Sequence, residues 1–167
     1  MLYSLLSKLD SAVAFNTVSA HCDIPCKIYD PIAAQLNALT IIRLIDLIEP
    51  IQGAESLTTA NAAQLTRLVA QKESHGLQLK EDIRVIWGDY FKTPQLEAFP
   101  EIDALTHSIM LQASKVKQHI NRDDAVELLN KVNRFATIFW ETKGVSTFTA
   151  ECPYPPAESV VYPDLKK

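Results

Sequence analysis

Three soft metal ligands stand close together near the start of this chain: His21, Cys22 and Cys26. Pro25 precedes the second cysteine and restricts the backbone at that point. The small residues at positions 18–20 form a boundary at which a peptidase could cut. A cut there would turn the α-amine of His21 into a further nitrogen ligand. The cluster therefore predicts a metal site that is completed by cleavage.

The donor atoms of this segment favour a planar site. The α-amine of His21, the amide nitrogen of Cys22 and the Cys22 thiolate lie along consecutive bonds, and the Cys26 thiolate can complete the plane. A tetragonal set of nitrogen and softer donors suits nickel(II) or copper(II), whereas zinc prefers a tetrahedron. The His21 imidazole can add an axial ligand. Because thiolates and a deprotonated amide stabilise the higher oxidation state, we expect one-electron chemistry there.

The spacing alone leaves other interpretations open. Cys22 and Cys26 could form a disulfide, which would leave Cys152 as the odd cysteine. Such a pair also occurs among buried thiols and in larger zinc sites, although the remaining histidines are scattered along the chain. A thioredoxin-like dithiol needs Cys-x-x-Cys on a βαβ unit, and the sequence has neither.

Length, charge and composition limit the class of protein. The 167 residues, 47% of them hydrophobic, suit one compact domain. The net charge of −4 gives no electrostatic footprint for nucleic acid, and the apolar runs are shorter than the roughly 20 residues of a membrane span. Lys8 and Asp10 interrupt the apolar stretch that a secretion signal needs. We therefore expect residues 1–20 to be a removable propeptide of a cytoplasmic protein.

Hydrophobic periodicity predicts four amphipathic helices with short connections. Capping residues, prolines and glycines set their expected limits. We expect a first helix from Pro31 that Pro50 and Gly53 end, and a second from Thr58 to just before Pro94, with a kink near Gly76 or a division into two helices. A third helix is expected from Glu101 to about Ile120, and a fourth from Asp123 to Lys143. The predicted fold class is all-α: an up-and-down four-helix bundle that forms one domain with the hook over residues 21–143. Prolines after Gly144 predict an extended C-terminal tail over residues 144–167.

Three segments together resemble a known family. The run HCDIPCKIYDP at residues 21–31 is similar to the metal hook of the nickel-containing superoxide dismutases. The segments VIWGDYFKTP at residues 85–94 and IFWETK at residues 138–143 resemble two further blocks of that family, in the same order. On this resemblance the chain is identified as a member of the family in a precursor form that carries its N-terminal propeptide.

The resemblance implies an activity and an assembly. Two superoxide anions and two protons would give oxygen and hydrogen peroxide by Ni(III)/Ni(II) cycling, after cleavage before His21 by a dedicated maturation peptidase. Each subunit would hold a nickel ion, and the subunits would form a homohexamer.

The resemblance also assigns roles by position. His21, Cys22 and Cys26 would bind nickel, and Asp23 and Pro25 would shape the hook. The catalytic residues would be three. Tyr29 would stand over the open face of the metal. Tyr90 would form a hydrogen bond near Tyr29, and Lys92 would contribute positive charge.

Three positions depart from the family pattern. The family often has a carboxylate on the first helix and an arginine on the second, where this chain has Asn37 and His75. We expect a neutral pair there, with Asn37 able to accept a hydrogen bond from the hook imidazole. Lys27 follows Cys26, where glycine is frequent. We expect Lys27 to point outward and, with Lys92 and Arg67, to attract an anionic substrate.

Two other functions fit parts of the pattern. A helical carrier could hold nickel or copper without turnover, and a structural, oligomer-forming bundle could contain Cys22 and Cys26 as a disulfide. Tyr29 and Lys92 favour the enzyme, because neither has a clear purpose in storage.

Overall fold

The computed structural model describes residues 27–54 and 56–165, and this part of the chain is mostly helical. The predicted nickel ligands His21, Cys22 and Cys26, and the proposed leader, lie outside the described residues. The elements in chain order are α1 (Ile32–Gln52), α2 (Thr59–Val85), a π-helical turn (Ile86–Tyr90), α3 (Thr93–Ala98), α4 (Ile102–Gln118), α5 (Arg122–Thr142), β1 (Thr147–Glu151) and β2 (Ser159–Pro163).

The helix starts follow the capping residues of the sequence. At the start of α1, Asp30 Oδ1 accepts the N–H of Ile32 at 2.8 Å. Thr58 Oγ1 accepts an N–H from the first turn of α2 at 3.1 Å. Asn121 Oδ1 does the same for α5 at 2.9 Å. Each bond satisfies an amide that has no partner within its helix.

The end of α1 agrees with the expectation, because Pro50 lies in its last turn and Gly53 follows its last residue, Gln52. The second helix differs from the expectation. α2 is one uninterrupted helix through Gly76, and the change of geometry comes later, at the π-helical turn. Gly76 is buried, and a Cβ there would lie 2.5 Å from Lys117 Cγ, so this glycine permits close approach of α4. The short helix α3 was not predicted.

The long helices α1, α2, α4 and α5 pack around a common apolar core. α1 and α4 each contact both α2 and α5, so the four helices form a ring. Fully burying one large apolar side chain contributes roughly 1.5–3 kcal/mol. Among the fully buried side chains are Ile41, Ile42, Ile45, Phe135 and Phe139. In the described part of the chain, no helix has the length and apolarity that a membrane crossing requires.

The described chain is mostly helical, as predicted, but its C-terminal segment is a β-hairpin, which corrects the predicted extended tail. β1 and β2 pair antiparallel, with Thr149 opposite Val161. The prolines exclude a helix, as expected, but most of them lie in the loop between the strands, where no ladder bond is lost. Pro163 ends β2. The prolines therefore predict correctly that this segment is not helical, but they do not show whether it is an extended tail or a hairpin.

Two buried amide side chains attach the hairpin to the helices. Gln35 of α1 donates from Nε2 to the carbonyl of Val161 at 2.8 Å and to Asn133 Oδ1 at 3.0 Å. Asn133 of α5 donates to the carbonyl of Ser159 at 2.9 Å and accepts the N–H of Val161 at 3.2 Å. Buried polar groups are costly unless they are paired, and here each amide is paired through the hairpin.

An ion-pair cluster makes a second attachment. Arg122 donates to Glu158 of the hairpin loop at 2.6 Å and to Asp46 of α1 at 2.9 Å. These bonds, first to Glu158 and then to Asp46, raise the pKa of the Arg122 guanidinium. Cys152 and Val160 are buried in the core at the same place. The hairpin is thus an integral part of the domain.

Lys72 of α2 is buried, with 1% of its surface exposed. Its Nζ donates to the carbonyls of Val116 at 2.6 Å, Lys117 at 2.7 Å and His119 at 3.2 Å. Burial lowers the pKa of Lys72. The ammonium supplies the donors that the last carbonyls of a helix lack, so it joins α2 to the end of α4.

Replacing Lys72 with methionine should therefore destabilise the fold. Lys72→Met keeps most of the side-chain volume but leaves the α4 carbonyls without their donor. We expect a loss of about 2–3 kcal/mol in the free energy of unfolding, measured in urea. The control is Lys115→Met, which removes a half-exposed ion pair with Asp124 and should cost less than about 1 kcal/mol. Equal losses in the two variants would contradict the capping role.

Candidate metal centre

The described chain begins directly after the predicted hook, at a residue in a left-handed conformation. Lys27 has a φ of 57°, a region that glycine occupies more easily than other residues. This conformation gives a physical reason for glycine at the equivalent position of the family pattern. The Lys27 side chain is exposed, as expected, and Ile28 beside it is 83% exposed. The chain then enters the protein at Tyr29, which is half-buried.

Tyr29 and Tyr90 lie next to each other. Their ring centroids are 6.1 Å apart with an angle of 55° between the planes. Tyr90 is the last residue of the π-helical turn, and its ring also packs on Phe91 at 5.3 Å and on Phe139 at 4.8 Å. The π turn matters because it changes the direction of side chains relative to the preceding helix. The structure thus brings together the two tyrosines that the sequence singled out.

The hydrogen bond of Tyr90 has a defined direction. Its hydroxyl oxygen is 2.6 Å from Thr142 Oγ1, and Thr142 Oγ1 donates its only proton to the carbonyl of Phe139 at 2.6 Å. A carbonyl cannot donate, so Tyr90 must be the donor to Thr142. The lone pairs of the Tyr90 oxygen are then left to accept a bond from another group.

Two lysines flank Tyr90. Lys92 is exposed, and its Nζ donates to the carbonyl of Gly88 in the π-helical turn at 2.8 Å. Lys143 Nζ lies 4.6 Å from the centroid of the Tyr90 ring and 4.9 Å from that of Phe139, which is cation–π geometry. Lys143 and Thr142 were not predicted as site residues. Their position in the block at residues 138–143 was the only available signal.

Arg67 remains apart from this group of side chains. It is exposed on α2, and among the described contacts none joins it to either tyrosine. No described contact therefore supports the prediction that Arg67 helps to attract an anionic substrate.

Asn37 and His75 form the pair that the sequence suggested. His75 Nδ1 and Asn37 Oδ1 are 2.7 Å apart, while Asn37 Nδ2 donates to Asp82 Oδ2 at 2.8 Å. Asp82 fixes the amide orientation, so His75 Nδ1 carries the proton and donates to Asn37. Gln78 completes the chain of bonds by donating to Asp82 Oδ1 at 2.9 Å. The network joins α1 to α2 on one side of the entry of the hook.

A cavity lies between the start of α1 and the end of α2. Its volume is about 270 Å³, and its lining includes Tyr29, Asp30, Asp82 and Ile86. The cavity therefore borders Tyr29 of the tyrosine pair, and it borders Asp82, which binds Asn37. Among the described residues, no group of three or more histidine, cysteine or acidic side chains could hold a metal ion. The predicted ligands His21, Cys22 and Cys26 precede the described residues in the chain.

Comparison with known proteins decides the family. The sequence model of the nickel-containing superoxide dismutase family matches residues 16–143 of this chain. The chain belongs to the nickel-containing superoxide dismutase family. The match includes the hook, the π-helical turn and the last long helix, so it covers all three segments on which the resemblance rested.

Individual members of the nickel superoxide dismutase family support this assignment. The enzyme of Streptomyces coelicolor is 32% identical over 129 residues, which is 76% of this chain and 91% of that protein. The enzyme of Streptomyces seoulensis is 32% identical over 128 residues, 75% of this chain and 90% of that protein. A native nickel superoxide dismutase structure superposes with a TM-score of 0.64 and 30% identity, covering 74% of this chain and 99% of that chain.

The bond from Tyr90 to Thr142 can be tested by a matched pair of substitutions. Thr142→Val keeps the shape but removes the acceptor of the Tyr90 proton, whereas Thr142→Ser keeps the hydroxyl. We expect Thr142→Val to lower the free energy of unfolding by about 1–2 kcal/mol, and Thr142→Ser to cost less than half of that. Urea unfolding measures both. If serine is no better than valine, the hydroxyl does not stabilise this end of the fold.

Proposed function

We propose that this chain, once cut before His21, is a superoxide dismutase that converts two superoxide anions and two protons into oxygen and hydrogen peroxide. The observation that carries the proposal is the Tyr29–Tyr90 pair, because Tyr29 closely follows the hook in the chain and lines the cavity. Membership of the family supports the same reaction. A carrier that only stores metal would not need an entrance formed by tyrosines.

Nickel would be held by the α-amine and imidazole of His21, the amide nitrogen and thiolate of Cys22, and the Cys26 thiolate. This donor set of nitrogen and thiolate suits nickel. When bound, nickel supplies one-electron redox chemistry. Asp23 and Pro25 would shape the hook around it. Asn37, held by His75 and Asp82, would tune the His21 imidazole by accepting a hydrogen bond from it.

Tyr29 and Tyr90 would control access and protons. Two aromatic rings at the entry favour a small substrate over larger reductants. The Tyr90 proton is committed to Thr142, so its oxygen accepts. It can accept one proton of a water molecule, whose second proton is then free to point toward the substrate. Tyr29, on the hook side of the pair, would be the group nearer to the metal.

Local positive charge would offset the net charge of −4, which repels superoxide. Lys92, Lys27 and Lys143 are exposed near the entry. Clusters of charge around a site raise the capture rate of an oppositely charged substrate. Lys92 would act through its charge, since its ammonium is fixed on the π-helical turn.

The organisation of the whole protein completes the proposal. Residues 1–20 would be a propeptide that a maturation peptidase removes, residues 21–143 the hook with an up-and-down four-helix bundle, and residues 144–167 a C-terminal segment. The ring of contacts among α1, α2, α4 and α5 supports the bundle. We also propose a homohexamer that acts in the cytoplasm. The charged residues Lys8 and Asp10, which weaken a secretion signal, support that location.

Cleavage should switch the protein on. In the uncut chain the His21 nitrogen is part of a peptide bond, so we expect little bound nickel and almost no dismutation. The chain cut before His21 should bind nickel and become active. Nickel content, the paramagnetic resonance signal of Ni(III) and superoxide removal measure this. Full activity of the uncut chain with bound nickel would refute the maturation step.

Cysteine variants separate the enzyme from its rivals. Cys22→Ser and Cys26→Ser, made in the cut chain, should each abolish nickel binding, the resonance signal and superoxide removal. Cys152→Ser is the matched control, because Cys152 belongs to the hairpin and donates to the carbonyl of Tyr154; it should keep all three. A metal-loaded chain without turnover would instead support the carrier, and a metal-free chain with oxidised cysteines would support the structural bundle.

Lys27 should contribute to substrate capture. Lys27→Ala removes an exposed charge next to the hook, so we expect kcat/KM to fall roughly twofold at low ionic strength and the salt dependence to weaken. The control is Lys115→Ala, because Lys115 pairs with Asp124 near the opposite end of α5 from Thr142. Unchanged rate and salt dependence in Lys27→Ala would show that this charge plays no part.

A further inference from the structure

The β-hairpin lies beyond the region that defines the family. The family match ends at residue 143, and the native solved relative is covered to 99% while 74% of this chain is used. Nothing in the dismutase reaction proposed above requires residues 147–163. The hairpin is nevertheless well attached to the helices, so its exposed features need their own explanation.

The two outer edges of this sheet differ in how their backbone groups are hydrogen-bonded. The edge of β2 is closed, because Gln35 and Asn133 bind the backbone groups of Val161 and the carbonyl of Ser159. The edge of β1 is open. Two backbone bonds just beyond the ends of the ladder join Asp164 N–H to the carbonyl of Ser146 and Cys152 N–H to the carbonyl of Glu158. They show that the even-numbered residues of this segment direct their backbone groups toward β2.

The alternation of an antiparallel ladder then fixes which groups point outward. The backbone groups of Thr147, Thr149 and Glu151 face away from β2, and within the described residues they have no hydrogen-bond partner. An open row of this kind is a template for another strand. Proteins usually protect such an edge with charged residues, proline, a bulge or a very short strand. β1 has no lysine or proline, its pairing with β2 is continuous, and its five residues carry one charge, at Glu151.

We propose that β1 pairs antiparallel with β1 of a second copy of this chain, about a two-fold axis at Thr149. This register places Thr149 opposite Thr149 of the other copy and Thr147 opposite Glu151. All outward backbone groups of both strands would be satisfied, in about six hydrogen bonds. The two hairpins would form one continuous four-stranded sheet.

The chemistry of the strand favours a second copy over an unrelated peptide. Three outward residues centred on Thr149 make the edge self-complementary, which is the requirement of a two-fold interface. The only charge on β1 is Glu151, and it faces a threonine hydroxyl that can donate to it. Phe148, which is 51% exposed and packs on Tyr162 at 5.7 Å, would lie opposite Ala150 of the other copy and be covered.

Charge substitution at the axis tests the contact. In Thr149→Lys and in Thr149→Glu, like charges would stand directly opposite each other and oppose pairing. We expect native mass spectrometry to show that the assembly of each variant has about half the mass of the wild-type assembly. Mixing the two variants in equal amounts should restore the wild-type mass. Thr149→Val, which keeps a β-branched residue without charge, is the control and should leave the mass unchanged.

The measurements are made on the uncut chain and on the cut chain, so the result does not depend on nickel or activity. Far-UV circular dichroism and urea unfolding establish that the variants fold. A wild-type chain that is monomeric, or charge variants with unchanged mass, would overturn the proposal. Recovery only in the mixed sample supports it, because only that sample places opposite charges at the axis.

Photo-crosslinking provides a test that disturbs the edge less. A benzoylphenylalanine replaces Phe148, and labelled and unlabelled chains are mixed so that links between copies can be identified by mass. We expect links from position 148 to residues 147–151 of the other copy. The same probe at Leu111, an exposed site on α4, should not give that product. Links from position 148 to any other segment, or within one chain only, would overturn the pairing.

Discussion

The side chain of Tyr90 holds together the parts of the protein on which the site depends. Its hydroxyl is bonded to Thr142 near the end of α5, while its ring packs on Phe139 and on Tyr29. Tyr90 itself ends the π-helical turn that follows α2. One residue therefore connects the ends of two long helices with the segment that leads to the hook. Because the bond to Thr142 has a fixed direction, it also sets which hydrogen-bonding groups face the entry.

In the proposed site, the hook provides the metal ligands and the helices provide the side chains around them. The described residues contain no cluster of ligands able to hold a metal, and the proposed ligands come from a short segment ahead of α1. The helical part supplies what a short segment cannot provide for itself: a cavity wall, two aromatic rings and several lysines. Such an arrangement keeps the metal chemistry separate from the core, so the core can be packed with large apolar side chains without compromise.

Local signals in the sequence predicted the helices well. Asp30, Thr58 and Asn121 act on amides only a few residues away, and such short-range bonds can be inferred from residue type and spacing. The hairpin could not be inferred, because Gln35 and Asn133, which attach it, lie far from it in the chain. Thr142 and Lys143 were missed for the same reason, since their roles depend on contact with Tyr90. The nickel ligands remain predictions from the hook pattern.

The buried amides of Gln35 and Asn133 make the helical part of this chain dependent on the hairpin. The family match ends at residue 143 and so does not include β2. Here two polar side chains occupy the interior, where β2 binds them. Loss of the C-terminal segment would remove their partners on Val161 and Ser159 and leave only the bond between the two amides. Each buried group left without a partner costs about 1–3 kcal/mol. The segment beyond the family region therefore cannot be removed without a change of residue inside the core.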